Sequence, residues 1–325
     1  MIPARPLLWW GGRVLALLAA PAAAEPPTLT LPVDCRLGET CYIQKHVDRD
    51  PGPGFVDVGC GALGEDGHNG TDFALPSLRA LREGAAVLAA APGVVLGRRD
   101  GMPDISVADP AAPDLRGRAC GNGVSIDHGD GWTTQYCHLA MGSVAVEVGQ
   151  EVERGAPIGR IGMSGESEFP HVHMTVRRDE AVVDPFDAVG GRCGDDEARE
   201  PLWAEPLGYV ATGLISAGVL DRVPDYEEVQ AGLDPHPGAA DAPLVLWAYA
   251  FGARPGDVLR FVLEGPGGVE IDMREEMDRR RIAYFRASGR RAPEGGWTPG
   301  AYEGRIDILR DGELADTMPV EARVE

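Results

Sequence analysis

The chain has 325 residues, a length that suggests about two domains. Its formal net charge is −21, and a surface this acidic repels nucleic acid and argues against attachment to an anionic membrane. Basic residues are almost all arginine, with Lys45 the only lysine.

Residues 1–24 read as an export signal. Arg5 and Arg13 flank or interrupt an apolar stretch that continues over residues 14–20, and Ala22-Ala23-Ala24 offers a small-residue cleavage site before Glu25. The stretch is short for a bilayer span, and no later segment is long and apolar enough to be one. The mature protein is therefore expected to be periplasmic or secreted. Six cysteines in an exported chain suit about three disulfides, although sequence alone allows fifteen pairings. Cys35 and Cys41 are close enough for a local loop. Cys120 and Cys137 flank the turn signal Gly129-Asp130-Gly131 and are expected near the base of one hairpin. Cys60 is left with Cys193. A cysteine metal site would call for a Cys-x-x-Cys pattern, which is absent.

Residues 35–61 are rich in turns. The Asp48-Arg49-Asp50-Pro51-Gly52-Pro53-Gly54 run does not follow the spacing of a calcium-binding EF-hand loop and reads as a solvated loop. His46 has no partner pattern and is read as structural. His68-Asn69-Gly70-Thr71-Asp72 places a histidine and a carboxylate four residues apart. Asn69-Gly70 makes a poor helix interior, so a loop folding both groups onto one metal is expected. Residues 76–84 form a helical turn or a loop, and two strands lie on either side of Pro92-Gly93. The polar, proline-containing stretch 98–118 forms either a wall of a substrate groove or a flexible insertion. Residues 121–139 read as a hairpin. His128 sits at its turn, on the surface, and His138 directly follows its second strand.

Gly149-Gln150-x-Val152-x-x-Gly155 also occurs in lipoyl-type carriers. A carrier needs a lysine at a hairpin tip, and the only lysine is Lys45, so that function is excluded. Residues 162–168 form a Gly/Ser loop at the rim of the next strand. In Pro170-His171-Val172-His173-Met174-Thr175-Val176, alternation puts both imidazoles on one side of a strand. Hydrolytic zinc sites use about three protein ligands and an open position for water. The His68–Asp72 pair plus one histidine of the His-x-His stretch supplies that set, and the remaining histidines are left to deprotonate the water and stabilise an oxyanion. Beyond about residue 195 the composition changes. Strand-like runs at 244–250 and 258–263, with turn signals at 254–257, 265–268 and 310–312, suggest a β-sandwich of immunoglobulin type. His236 falls in a Pro/Gly-rich loop. The expected fold is mainly β: an antiparallel catalytic domain at 25–197 and a sandwich at 198–325.

The motifs His68-x-Gly70-x-Asp72-Phe73, Tyr136-x-His138-Leu139, Gly149-Gln150-x-Val152-x-x-Gly155-x-x-Ile158-Gly159, Gly162-x-Ser164-Gly165 and Pro170-His171-x-His173 resemble the lysostaphin-type zinc endopeptidases over roughly residues 60 to 190. The resemblance implies that His68, Asp72 and His173 bind one zinc ion and that His138 and His171 are catalytic. It implies an exported endopeptidase acting on stem peptides or cross-links of peptidoglycan. Some relatives are hydrolase activators without activity, so a non-catalytic wall-binding or activating factor is the competing expectation. The five residues it implies are all present.

Overall fold

A strand that alternates cleanly organises the molecule. In the computed structural model, β9 (His171–Arg178) buries Val172, Met174 and Val176 on one face at 0 to 1% exposure, each contributing on the order of 1.5–3 kcal/mol. Its other face carries His171, His173, Thr175 and Arg177 in a row. The structure describes residues 25–190, 199–233 and 238–325. The expected leader, Cys193 and His236 lie outside them.

β9 sits inside an eight-stranded antiparallel sheet. Before it in sequence come β1 (Tyr42–Lys45), β2 (Thr71–Ala74), β4 (Gly93–Arg99), β5 (Asn122–Gly129), β6 (Trp132–Leu139) and β7 (Glu151–Val152). The strand order is β1-β2-β9-β6-β5-β4-β7, with β10 (Ala181–Val183) folding back on β9. Two neighbours position the site. β2 pairs Asp72 with His173 and Ala74 with His171, while β6 pairs Cys137 with His173. The short ribbon of β3 (Ala86–Leu88) and β8 (Pro157–Arg160) contributes Val87 and Ile158, both 0% exposed, to the same core.

Residues 76–84 settle as a helix, α1 (Leu78–Glu83), with the Ser77 hydroxyl capping the Ala80 N–H. The expected hairpin is β5–β6, turning at Asp130 and Gly131, both with left-handed backbone. The expected Cys35–Cys41 and Cys120–Cys137 bonds are present. The pairing of Cys60 with Cys193 falls outside the described residues.

The C-terminal half has its own core. One sheet is β11 (Gly213–Leu220), β12 (Leu244–Ala253) and β15 (Arg281–Arg290). The other takes the order β14 (Gly268–Glu276), β13 (Val258–Gly265), β16 (Gly300–Arg310) and β17 (Glu313–Val324). These seven strands form the expected sandwich. The unbroken apolar run of β12 reflects two buried faces. Leu244, Leu246, Ala248 and Ala250 point into the sandwich, whereas Trp247 and Tyr249 pack with Val229 of the helix α2 (Tyr226–Ala231). Phe251 reaches the N-terminal half, stacked on Tyr42 with ring centroids 5.2 Å apart.

Candidate active site

The five side chains singled out in the sequence converge on one cavity of about 580 Å³. Asp72 lies at its floor, 2% exposed, and its Oδ1 is the common point. His173 Nδ1 lies 2.8 Å from it, His68 Nε2 3.2 Å and His171 Nε2 3.7 Å. The ligand atoms of His68, Asp72 and His173 all fall within 4.8 Å of one another. The His138 ring packs 4.6 Å from that of His171 and 6.0 Å from that of His173.

Backbone carbonyls fix the rings. Nδ1 of His68 donates to the carbonyl of His46 at 2.7 Å, Nδ1 of His138 to that of Ser164 at 2.8 Å, and Nδ1 of His171 to that of Phe169 at 2.9 Å. With a proton on each outer nitrogen, each Nε2 carries a lone pair. Nε2 of His68 and His171 thereby faces Asp72. His173 is turned the other way. Its Nε2 donates to Asn69 Oδ1 at 3.0 Å, leaving the Nδ1 lone pair against Asp72.

Lone pairs of His68 and His173 thus confront a carboxylate oxygen, an arrangement that requires a cation or an added proton between them. Two imidazole nitrogens and one carboxylate oxygen, with outer nitrogens held by second partners, match the donor chemistry of zinc. Gly70 allows the approach: a Cβ there would stand 2.5 Å from His173 Nε2 and 2.7 Å from the Met174 carbonyl.

Electrostatics separate the groups. Burial alone would raise the Asp72 carboxyl, but the neighbouring imidazoles of His171 and His68, with His173 in contact, hold it well below the usual carboxylate range. Burial pushes His138 down to about 3, with His171 and His173 adding to the effect. Burial also lowers His171, against the pull of Asp72. Both rings are therefore neutral bases at neutral pH. His68 moves the other way, because its attraction to Asp72 outweighs burial.

His138, the penultimate residue of β6, has a left-handed backbone, φ 63°, and its N–H donates to the Cys120 carbonyl at 2.8 Å. Such a backbone in a non-glycine residue costs on the order of 1–3 kcal/mol and persists only where its surroundings enforce it. The adjoining Cys120–Cys137 bond is part of that enforcement. Phe169 stacks on His171, centroids 4.3 Å apart.

The stretch after β4 forms part of the cavity wall through Val107, Ala119 and Cys120. Its aspartates fasten it down. Asp104 accepts from the N–H groups of Met141 and Met163, and Asp100 from those of Gly142 and Val144. Of the other histidines, His46 is buried 4.9 Å from Phe186, and its side chain does not line the cavity. His128 also lies away from the cavity, pinned between the Pro92 carbonyl and Thr134 Oγ1. Asn69, Phe169 and the three accepting carbonyls were not singled out from sequence. A carbonyl acceptor leaves no mark there, and Asn69 reads first as a turn residue.

Residues 66–185 match the model of Peptidase family M23. The peptidoglycan DD-endopeptidase ShyA of Vibrio cholerae is 37% identical over 106 residues, which are 33% of this chain and 19% of the relative. The DD-carboxypeptidase/endopeptidase Mpg of Neisseria meningitidis is 32% identical over 120 residues, 36% of this chain and 22% of Mpg. These matches span only about a fifth of each relative. The crystal structure of a putative peptidase M23 from Pseudomonas aeruginosa is similar at 26% identity and a TM-score of 0.30, covering 50% of this chain and 52% of that one. Over residues 66–185 the chain is thus similar to Peptidase family M23.

Proposed function

We propose that this chain is an exported zinc-dependent endopeptidase that hydrolyses peptide bonds in the stem peptides or cross-links of peptidoglycan. The observation that carries the reading is the meeting of two histidine lone pairs with Asp72 Oδ1 beside two further neutral histidines. The family match, ShyA, named a peptidoglycan DD-endopeptidase, and Mpg, named a DD-carboxypeptidase/endopeptidase, support the substrate. The leader pattern at 1–24 and the Cys35–Cys41 and Cys120–Cys137 disulfides support export. Among the described residues no helix is long and apolar enough to cross a membrane.

In this reading His68 Nε2, Asp72 and His173 Nδ1 hold the metal. When bound there, zinc would supply a water of near-neutral pKa and Lewis-acid polarisation of a carbonyl. His138 and His171 act as the base pair. A neutral ring accepts the water's proton at Nε2 while its Nδ1–H stays on the backbone carbonyl. The imidazolium so formed presents an N–H to the developing oxyanion, then hands the proton to the leaving amine. Phe169 shields one face of His171 and holds the ring in place.

We further propose the division of the chain into a leader at 1–24, a catalytic domain and a C-terminal β-sandwich. Leu202 and Trp203 pack in the first core and Leu214 in the second, which supports a junction near residue 210, later than the boundary at 197/198 expected from composition.

The metal assignment is tested by elemental analysis. About one zinc per chain is expected, removed by chelation and restored by zinc. Asp72→Asn is expected to weaken zinc binding by more than about 100-fold, beyond the 10–100-fold typical of lost outer partners. Full zinc binding in Asp72→Asn would contradict the assignment.

A further inference from the structure

We propose that Arg177 is a carboxylate-binding subsite of the substrate groove, so that the preferred peptide carries a free carboxylate on one side of the scissile bond. This rests on the peptidase reading above and narrows its substrate class.

The row of side chains on β9 runs His171, His173, Thr175, Arg177, all on the groove face. Four residues of strand separate Arg177 from His173, about 13 Å. An extended peptide lying along β9 with its scissile carbonyl at the metal would bring a group a few residues away to the guanidinium. Two cations line the cavity, Lys45 and Arg177, against a rim carrying Glu65, Asp66, Glu166 and Glu168. Lys45 is already engaged, its Nζ 2.6 Å from Glu65.

Arg177 is not. Among the described residues no carboxylate pairs with it, and the contact it makes is a neutral one, Nη1 donating to Gln135 Oε1 at 3.1 Å. Gln135 is itself oriented, its Nε2 3.8 Å from the Cys120 sulfur. The disulfide, the amide and the guanidinium thus form a chain across the groove floor, with one edge of the guanidinium braced. A planar fork held this way suits bidentate recognition of a carboxylate, a stronger contact than the amide it now has. In a molecule of charge −21, an unpaired cation inside the cleft also counters the repulsion that an acidic peptide would otherwise meet.

The test uses the full-length zinc-loaded protein and synthetic cross-linked stem-peptide dimers in four forms: all carboxyls free, the C-terminal carboxyl alone amidated, the side-chain carboxyls alone amidated, and all amidated. Wild type is expected to favour the free acid over the full amide by about tenfold or more in kcat/KM, expressed in KM. Arg177→Gln is expected to bring that ratio towards one, and Arg177→Lys to keep part of it. The two singly amidated dimers tell a terminal carboxylate from a side-chain one. A wild-type ratio near one, or the same ratio in Arg177→Gln, overturns the proposal. Should wild type cleave no dimer, the peptidase reading falls, and calorimetric titration of the same dimers decides the subsite separately. Tighter binding of the acid, lost in Arg177→Gln, supports it; equal binding of acid and amide overturns it.

Discussion

At the scale of single residues, the chemistry-bearing side chains could be picked out because few residue types serve a hydrolytic metal site. The chain has seven histidines. His68, His138, His171 and His173 stand in patterned stretches, and all four reach the cavity around Asp72. What sequence could not supply was the orientation of each ring, since His46, Ser164 and Phe169 accept through main-chain oxygens that any residue would offer. His128 illustrates the opposite case. Its place at a hairpin turn suggested a surface group, yet burial lowers its pKa, and Nδ1 is held by the Pro92 carbonyl at 2.7 Å. The unfolded ring therefore takes up a proton below its ordinary pKa near 6.5 while the folded ring resists. Stability should fall as pH drops below about 6.5 and should not depend on this group above it. Urea unfolding at several pH values, with His128→Gln alongside, checks this. The stability difference between wild type and variant should shrink on acidification; a constant difference would contradict it.

At the scale of elements, alternation made β9 and the β5–β6 hairpin legible, because one buried face per strand imposes a period of two. The polar stretch after β4 was harder. Composition alone fits a wall or a floppy insertion, and the decision came from Asp100 and Asp104 reaching main-chain N–H groups some forty to sixty residues away. That loop is also tied by Cys120–Cys137, across a sequence separation of 17. Replacing both cysteines with serine should cost about 3 kcal/mol of stability by the loop-closure account. It should also lower activity more than zinc content, because the Cys120 carbonyl holds the strained backbone of His138. Thermal unfolding, zinc analysis and muropeptide assay on one preparation read all three. Unchanged turnover with lowered stability would show that His138 is positioned without the bond.

At the scale of the whole molecule, two main hydrophobic cores among the described residues match the composition change seen late in the sequence. Their contact was not legible. Phe251 and Tyr42 stack across it, and each reads in sequence as an ordinary strand residue. The acidic charge spread over both halves excludes partners more than it selects them. The central claim concerns the cavity in the first half and is met most directly by muropeptide release from purified sacculi, comparing wild type with His171→Ala. Wild type should release cleaved cross-links or shortened stem peptides. The variant should keep its zinc and lose activity by about 10²- to 10⁴-fold, the usual contribution of a general base. A zinc-loaded wild type that releases nothing, or a His171→Ala variant as active as wild type, would contradict the account.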